Sequence, residues 1–157
     1  MKRKTLKIIG ITIVILFGLL FTFAKVKRIS PLSWGHKEVN QPMFSDIAIN
    51  GYDPVAYSLS NQAVEGNEHY IHVWKEASWL FASEENKNKF MANPEKYAPE
   101  YGGYCAFAVS KGFTANTNPE VFELIDGKLY LFDGEDVKQE WKANLKENLE
   151  KGKINWK

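Results

Sequence analysis

The chain has 157 residues, 20 Lys plus Arg against 19 Asp plus Glu, 45% hydrophobic and 14% aromatic content, and one cysteine. Five Trp, seven Tyr and ten Phe exclude a disordered chain, a lone Cys excludes an internal disulfide framework, and one Cys with three His strains a closed zinc site of four protein ligands. The net charge of +1 hides an asymmetry: residues 1–28 carry seven bases and no acid, which leaves −6 on residues 29–157 and argues against a nucleic-acid partner.

From Ile8 to Ala24 there are 17 residues without a charge, bounded by Lys7 and Lys25. A basic start, an apolar run of this length and flanking lysines that can snorkel predict an N-terminal transmembrane anchor within residues 1–28. The same start also fits a signal peptide, with Thr22-Phe23-Ala24 as an imperfect small-x-small cleavage site, but Lys25, Lys27 and Arg28 directly after it favour an uncleaved anchor. Four bases before the run against three after it give a thin bias for the amino end inside and the domain on the extracytoplasmic side.

Residues 29–43 include Ser30-Pro31, Gly35 and Gln41-Pro42 without sustained periodicity and read as a tether, so the folded domain is expected over 44–157. In Gly51-Tyr52-Asp53-Pro54-Val55-Ala56-Tyr57, Asp53 can cap a helix that begins with proline, or offer a carboxylate to a ligand. His69–Trp74 and Ser78–Ala82, separated by Lys75-Glu76-Ala77, suggest a hairpin. Ser83 is a plausible N-cap for a helix over Glu84–Ala92, with Glu84 and Glu85 in its first turn and Asn93-Pro94 at its end.

Tyr101-Gly102-Gly103-Tyr104-Cys105 holds the only thiol. The glycines permit a turn closed to other residues, Cys105–Lys111 can be helical, and Gly112 can stop that helix. Cys105 would then lie where backbone N–H groups favour a thiolate, or else serve as a small buried hydrophobe. Val121–Ile125 and Lys128–Phe132 flank Asp126-Gly127, a type I′ hairpin signal. Val137, Trp141, Leu145 and Leu149 form one apolar stripe that predicts an amphipathic closing helix from Glu135 to about Lys151. Strands and helices without a regular strand-helix-strand repeat predict an α+β domain of short antiparallel hairpins packed with helices.

Phosphate loops, G-x-S-x-G elbows and H-E-x-x-H helices do not occur in the sequence. His69 and His72, three apart in a strand, project from opposite faces and cannot share an ion unless the strand breaks, and His36 in the tether has a weaker claim still.

Read in order, Asn50-Gly51-Tyr52-Asp53-Pro54-Val55-Ala56-Tyr57, Trp79-Leu80-Phe81-Ala82-Ser83, Phe90-x-x-Asn93-Pro94-x-x-Tyr97-Ala98-Pro99-x-Tyr101-Gly102-Gly103-Tyr104-Cys105-Ala106, Asp126-Gly127-Lys128-Leu129-Tyr130-Leu131 and Asn155-Trp156 resemble the YHS-domain family over residues 45–157. Metal-associated members have a Cys after Asp-Pro-Val and further cysteines after the aromatic strand. Here Ala56 stands at the first position and Phe81–Asn86 has none, so that ligand set does not carry over. The chain is closer to the stand-alone, often exported subgroup with Gly-Gly-aromatic-Cys-Ala, some members of which have selenocysteine at the position matching Cys105. The resemblance implies a functional sulfur. The resulting expectation is a membrane-anchored binding module centred on Cys105, which would hold a copper-class metal ion, or a thiol-reactive small ligand with Gly102, Gly103, Tyr104 and Asp53, with a small thiol as a further partner. The alternatives are a thiol redox enzyme with Cys105 as nucleophile, restored by an external thiol, and a docking domain in which Cys105 is core.

Overall fold

The computed structural model of the chain describes residues 2–26 and 29–156. Lys27 and Arg28, which entered the orientation argument, lie outside the described residues. Helix α1 runs Lys2–Val26 and its side chains from Ile11 to Phe23 are exposed. Among the described residues no helix is long and apolar enough to cross a membrane. This overturns the expected N-terminal membrane helix, the signal anchor, the membrane partner and the single-pass placement with its extracytoplasmic domain. The physical reason is length: the uncharged part of α1 is 17 residues, which at ~1.5 Å per residue spans ~26 Å against a hydrocarbon core of ~30 Å.

The remainder is a small α+β fold with short antiparallel strand pairs, as the interspersed signals suggested. Strand β1 (Ser30–Pro31) pairs with β4 (Phe113–Thr114), β2 (Asn67–Trp74) with β3 (Ala77–Phe81), and β5 (Asn118–Ile125) with β6 (Lys128–Phe132). The two longer hairpins close on two-residue turns with positive φ, Lys75-Glu76 (50° and 57°) and Asp126-Gly127 (52° and 75°). Such turns match the right-handed twist of the flanking strands. The first loop is one residue shorter than the sequence suggests, because Ala77 pairs with Trp74 inside the ladder.

Helices surround these ribbons. Asp53 caps α2 (Pro54–Ser60), and Ser83 Oγ accepts from Asn86 N at the start of α3 (Glu84–Ala92). A single turn, α4 (Pro94–Tyr97), leads to a 3₁₀ turn over Glu100–Gly103 and then to α5 (Ala106–Ser110). The expected closing helix is two, α6 (Glu135–Ala143) and α7 (Leu145–Asn155), broken at Asn144. The break follows from Asn148, which is buried and donates through Nδ2 to the Trp141 carbonyl at 2.9 Å while its Oδ1 accepts from Ser110 Oγ at 3.2 Å. A straight helix would keep the Trp141 carbonyl for its own ladder and carry Asn148 away from α5.

Strand β6 explains the architecture. Its residues alternate between two cores: Leu129 and Leu131 pack with Tyr57, Trp79, Phe81 and Phe90, while Tyr130 and Phe132 pack with Tyr104, Cys105, Val109 and Trp141. A strand buried on both faces has no polar side to show, hence the nearly continuous apolar run Leu-Tyr-Leu-Phe. The segment expected to be a free tether is instead part of the fold. Val39, Asn40 and Gln41 are buried, and Asn40 N donates to Gly102 O at 2.8 Å. Residues 33–38 and Met43 of the same segment are exposed.

Candidate functional site

Three consecutive residues, Tyr101 (φ 58°), Gly102 (φ 60°) and Gly103 (φ 82°), adopt left-handed backbone. A Cβ on Gly102 would collide with the Glu38 carbonyl, and one on Gly103 would lie 2.6 Å from Ile49 Cγ2. The pair is therefore required by close approach of the 38–40 segment on one side and of the Ala48–Gly51 turn on the other. Gly103 O accepts from Asn40 Nδ2 at 3.2 Å and from Thr117 Oγ1 at 3.0 Å, so one turn ties together four stretches of chain. Tyr101 tolerates its positive φ because its ring is buried against Tyr130 and Trp156 and lies on α7 at Gly152, where a side chain would collide with it. Burial pushes the Tyr101 phenol far up from its ordinary range.

Cys105 follows as the N-cap of α5, at the helix start the glycines were expected to introduce. It is only 2% exposed, in a core of Tyr104, Val109, Phe132 and Trp141. Burial pushes its thiol up, and this outweighs the backbone N–H groups of Ala108, Asp133 and Phe107 that converge on the sulfur and favour the thiolate; the Asp133 carboxylate adds to the upward push. The two effects named by the sequence are both present, and desolvation is the larger because the sulfur is closed in by the second core.

Asp53 is completely buried, with Oδ1 accepting from Val55 N and Ala56 N and Oδ2 from Ala82 N (2.9 Å) and Asn86 Nδ2 (2.6 Å). It joins the start of α2 to the β3–α3 connection, and no face of its carboxylate is left for a ligand. Gly102 and Gly103 shape the turn, and Tyr104, 5% exposed, sits edge-on to His36 with ring centroids 6.1 Å apart. The expected ligand set is thus split: Cys105 and Tyr104 belong to one core, Asp53 lies at the edge of the other, and the two that line openings, Gly102 and Tyr104, line different ones. Among the described residues no group of three or more His, Cys, Asp or Glu side chains could hold a metal ion. That corrects the expectation of a copper-class site. His69 Nδ1 lies 2.7 Å from Asn67 Oδ1, and the His72 ring meets Phe90 with centroids 6.4 Å apart.

The opening is a cleft of about 250 Å³ against the outer side of the glycine turn. Tyr101 and Gly102 form its floor with Pro99, Trp74 and Lys75 enter from the β2–β3 turn, Glu38 comes from the strap over the turn, and Trp156 closes it from the end of α7. His36 packs on Trp156 at 4.5 Å between ring centroids and stands at its rim. Sequence reasoning missed this site because its walls come from four segments that meet only in three dimensions. The one available signal was the placement of a Trp at the hairpin turn and another at the chain's end, both costly to leave in solvent.

Comparison of the chain with protein-family models, with curated proteins and with solved structures finds no match.

Proposed function

We propose that this chain is a non-catalytic small-ligand-binding module of the YHS type, which takes its ligand in the cleft beside the Tyr101–Gly103 turn and uses Cys105 as a core residue behind that turn. The observation that carries this reading is the cleft itself, about 250 Å³ lined by Trp74, Trp79, Tyr101 and Trp156 with a few charged groups at its edges. Aromatic walls joined by a few charged groups suit a small polar ligand, and at 250 Å³ the cleft is below the usual ~300–1,000 Å³ of drug-sized sites, which points to a ligand of few atoms. The glycine pair supports it too. Its floor is a run of three left-handed residues with no room for a Cβ at Gly102 or Gly103, so that part of the site is preorganised before a ligand arrives.

A second reading, a thiol redox enzyme, is favoured by the three backbone N–H groups that meet the Cys105 sulfur. Its thiolate would need to open to solvent before it could attack a disulfide or peroxide. Fragment binding followed by amide and indole NMR shifts, combined with iodoacetamide labelling of the native full chain at pH 7, separates the two. The module reading expects shifts grouped on Gly102, Trp74 and Trp156 and thiol labelling that waits for denaturant. Rapid labelling of Cys105 in the native state, or shifts confined to Cys105 and its neighbours, would overturn it in favour of the enzyme.

A further inference from the structure

The cleft already contains a cation, and the chain supplies it. Lys75, held by the positive-φ turn of the β2–β3 hairpin, places Nζ 4.6 Å from the centroid of the Trp74 ring. The same nitrogen stands 3.7 Å from a Glu38 carboxylate oxygen and 3.5 Å from one of Glu95. A positive charge is thus received by an indole face and two carboxylates that reach it from separate parts of the sequence. Glu100 adds a third carboxylate to the lining, although it is paired outward with Lys128 at 2.8 Å. The cleft's fixed charge favours cations over anions even with Lys75 in place.

Two features make Lys75 replaceable. Its side chain is 39% exposed and those of Glu38 and Glu95 are 72% and 74% exposed, so the contacts are of the weak kind that water competes for. The carboxylates also stand further off than the ~2.8 Å of a direct charged hydrogen bond. That spacing suits a nitrogen wrapped in methyl groups better than a bare ammonium, because a methylated cation keeps its charge, gives up little hydration and meets aromatic faces directly.

We propose that the cleft binds a small methylated ammonium group and that Lys75 is a tethered stand-in which the ligand displaces. This rests on the binding-module reading of the same cleft and adds the chemical class of the ligand. A free quaternary amine and a methylated lysine side chain on another protein share that chemistry.

The test is calorimetric or tryptophan-fluorescence titration of the full chain with choline, with its neutral isostere 3,3-dimethylbutan-1-ol, with acetate, and with a short peptide bearing trimethyl-lysine. Choline is expected to bind and the alcohol and acetate are not. Lys75→Ala is expected to tighten choline by about threefold, since a competing internal cation is removed, and the double variant Glu38→Gln/Glu95→Gln to weaken it by about fivefold. A trimethyl-lysine peptide that binds more tightly than choline assigns the source to a modified protein; the reverse order assigns it to a free amine. Equal binding of choline and the alcohol, or weaker choline binding by Lys75→Ala, overturns the proposal while leaving a ligand cleft in place. If fragments of every charge class leave the Gly102, Trp74 and Trp156 signals unmoved in both the wild-type chain and Lys75→Ala, the module reading falls with it.

Discussion

Two residues of the expected ligand set serve the fold instead of a ligand. Gly102 sits under the Glu38 carbonyl with φ 60°, so Gly102→Ala adds both a collision and backbone strain. It is expected to destabilise the fold by about 3 kcal/mol, read as a lower midpoint in urea without a change in slope. Asp53 gathers four hydrogen bonds at zero exposure. Asp53→Ala removes a helix cap and strands the Ala82 N–H, at an expected cost of about 2 to 4 kcal/mol, and Asp53→Asn should recover part of it because one carbonyl oxygen still accepts. Full stability in Asp53→Ala with weakened ligand binding would return Asp53 to a ligand role.

At the scale of elements, the parts legible in the sequence are those whose signals act within a few residues. Ser83 caps α3 and Asp126-Gly127 turns the second hairpin as read, because a cap reaches three residues and a turn spans two. The parts not legible depend on partners far away. Asn40 is held by Gly103, 63 positions distant, so a segment without periodicity could pack as a strap and still look like a linker. Trp141, Leu145 and Leu149 keep a helical stripe through a break that Asn148 makes by reaching Trp141 and Ser110. Asn148→Leu removes both bonds and leaves the Trp141 carbonyl only the longer 3.4 Å contact from Asn144 N. Its expected cost is about 2 kcal/mol, visible as faster amide exchange in α7. At the candidate site only the glycine turn follows from residue order, as the helix start at Cys105 does behind it, whereas the cleft's other walls and the burial of the sulfur depend on segments from elsewhere in the chain.

For the whole molecule, the buried acids that hold their protons set an alkaline limit. Burial pushes the Cys105 thiol upward and the Tyr130 phenol up to about 12, and raises Tyr57 and Tyr101 further. In the unfolded chain these groups lose protons near ~8.5 for Cys and ~10 for Tyr. Above those values the unfolded state binds fewer protons than the folded one, so stability falls as pH rises. Melting temperature is therefore expected to hold up to about pH 8.5 and to decline through pH 12, and Tyr130→Phe should flatten the part of the decline above about pH 10. A melting temperature that stays level through this window would mean the phenols are open to solvent and the second core is looser than described.

The central claim is that the outer side of the glycine turn, and not the sulfur behind it, is the functional surface. Parallel titration of Trp156→Ala and Cys105→Ala with the fragment that binds the wild-type chain addresses it most directly, because the two residues share one core cluster yet only Trp156 lines the cleft. The account predicts that Cys105→Ala binds as the wild type does, with a modest loss of stability, and that Trp156→Ala loses binding by about tenfold while remaining folded. Wild-type affinity in Trp156→Ala together with lost binding in a folded Cys105→Ala would contradict it.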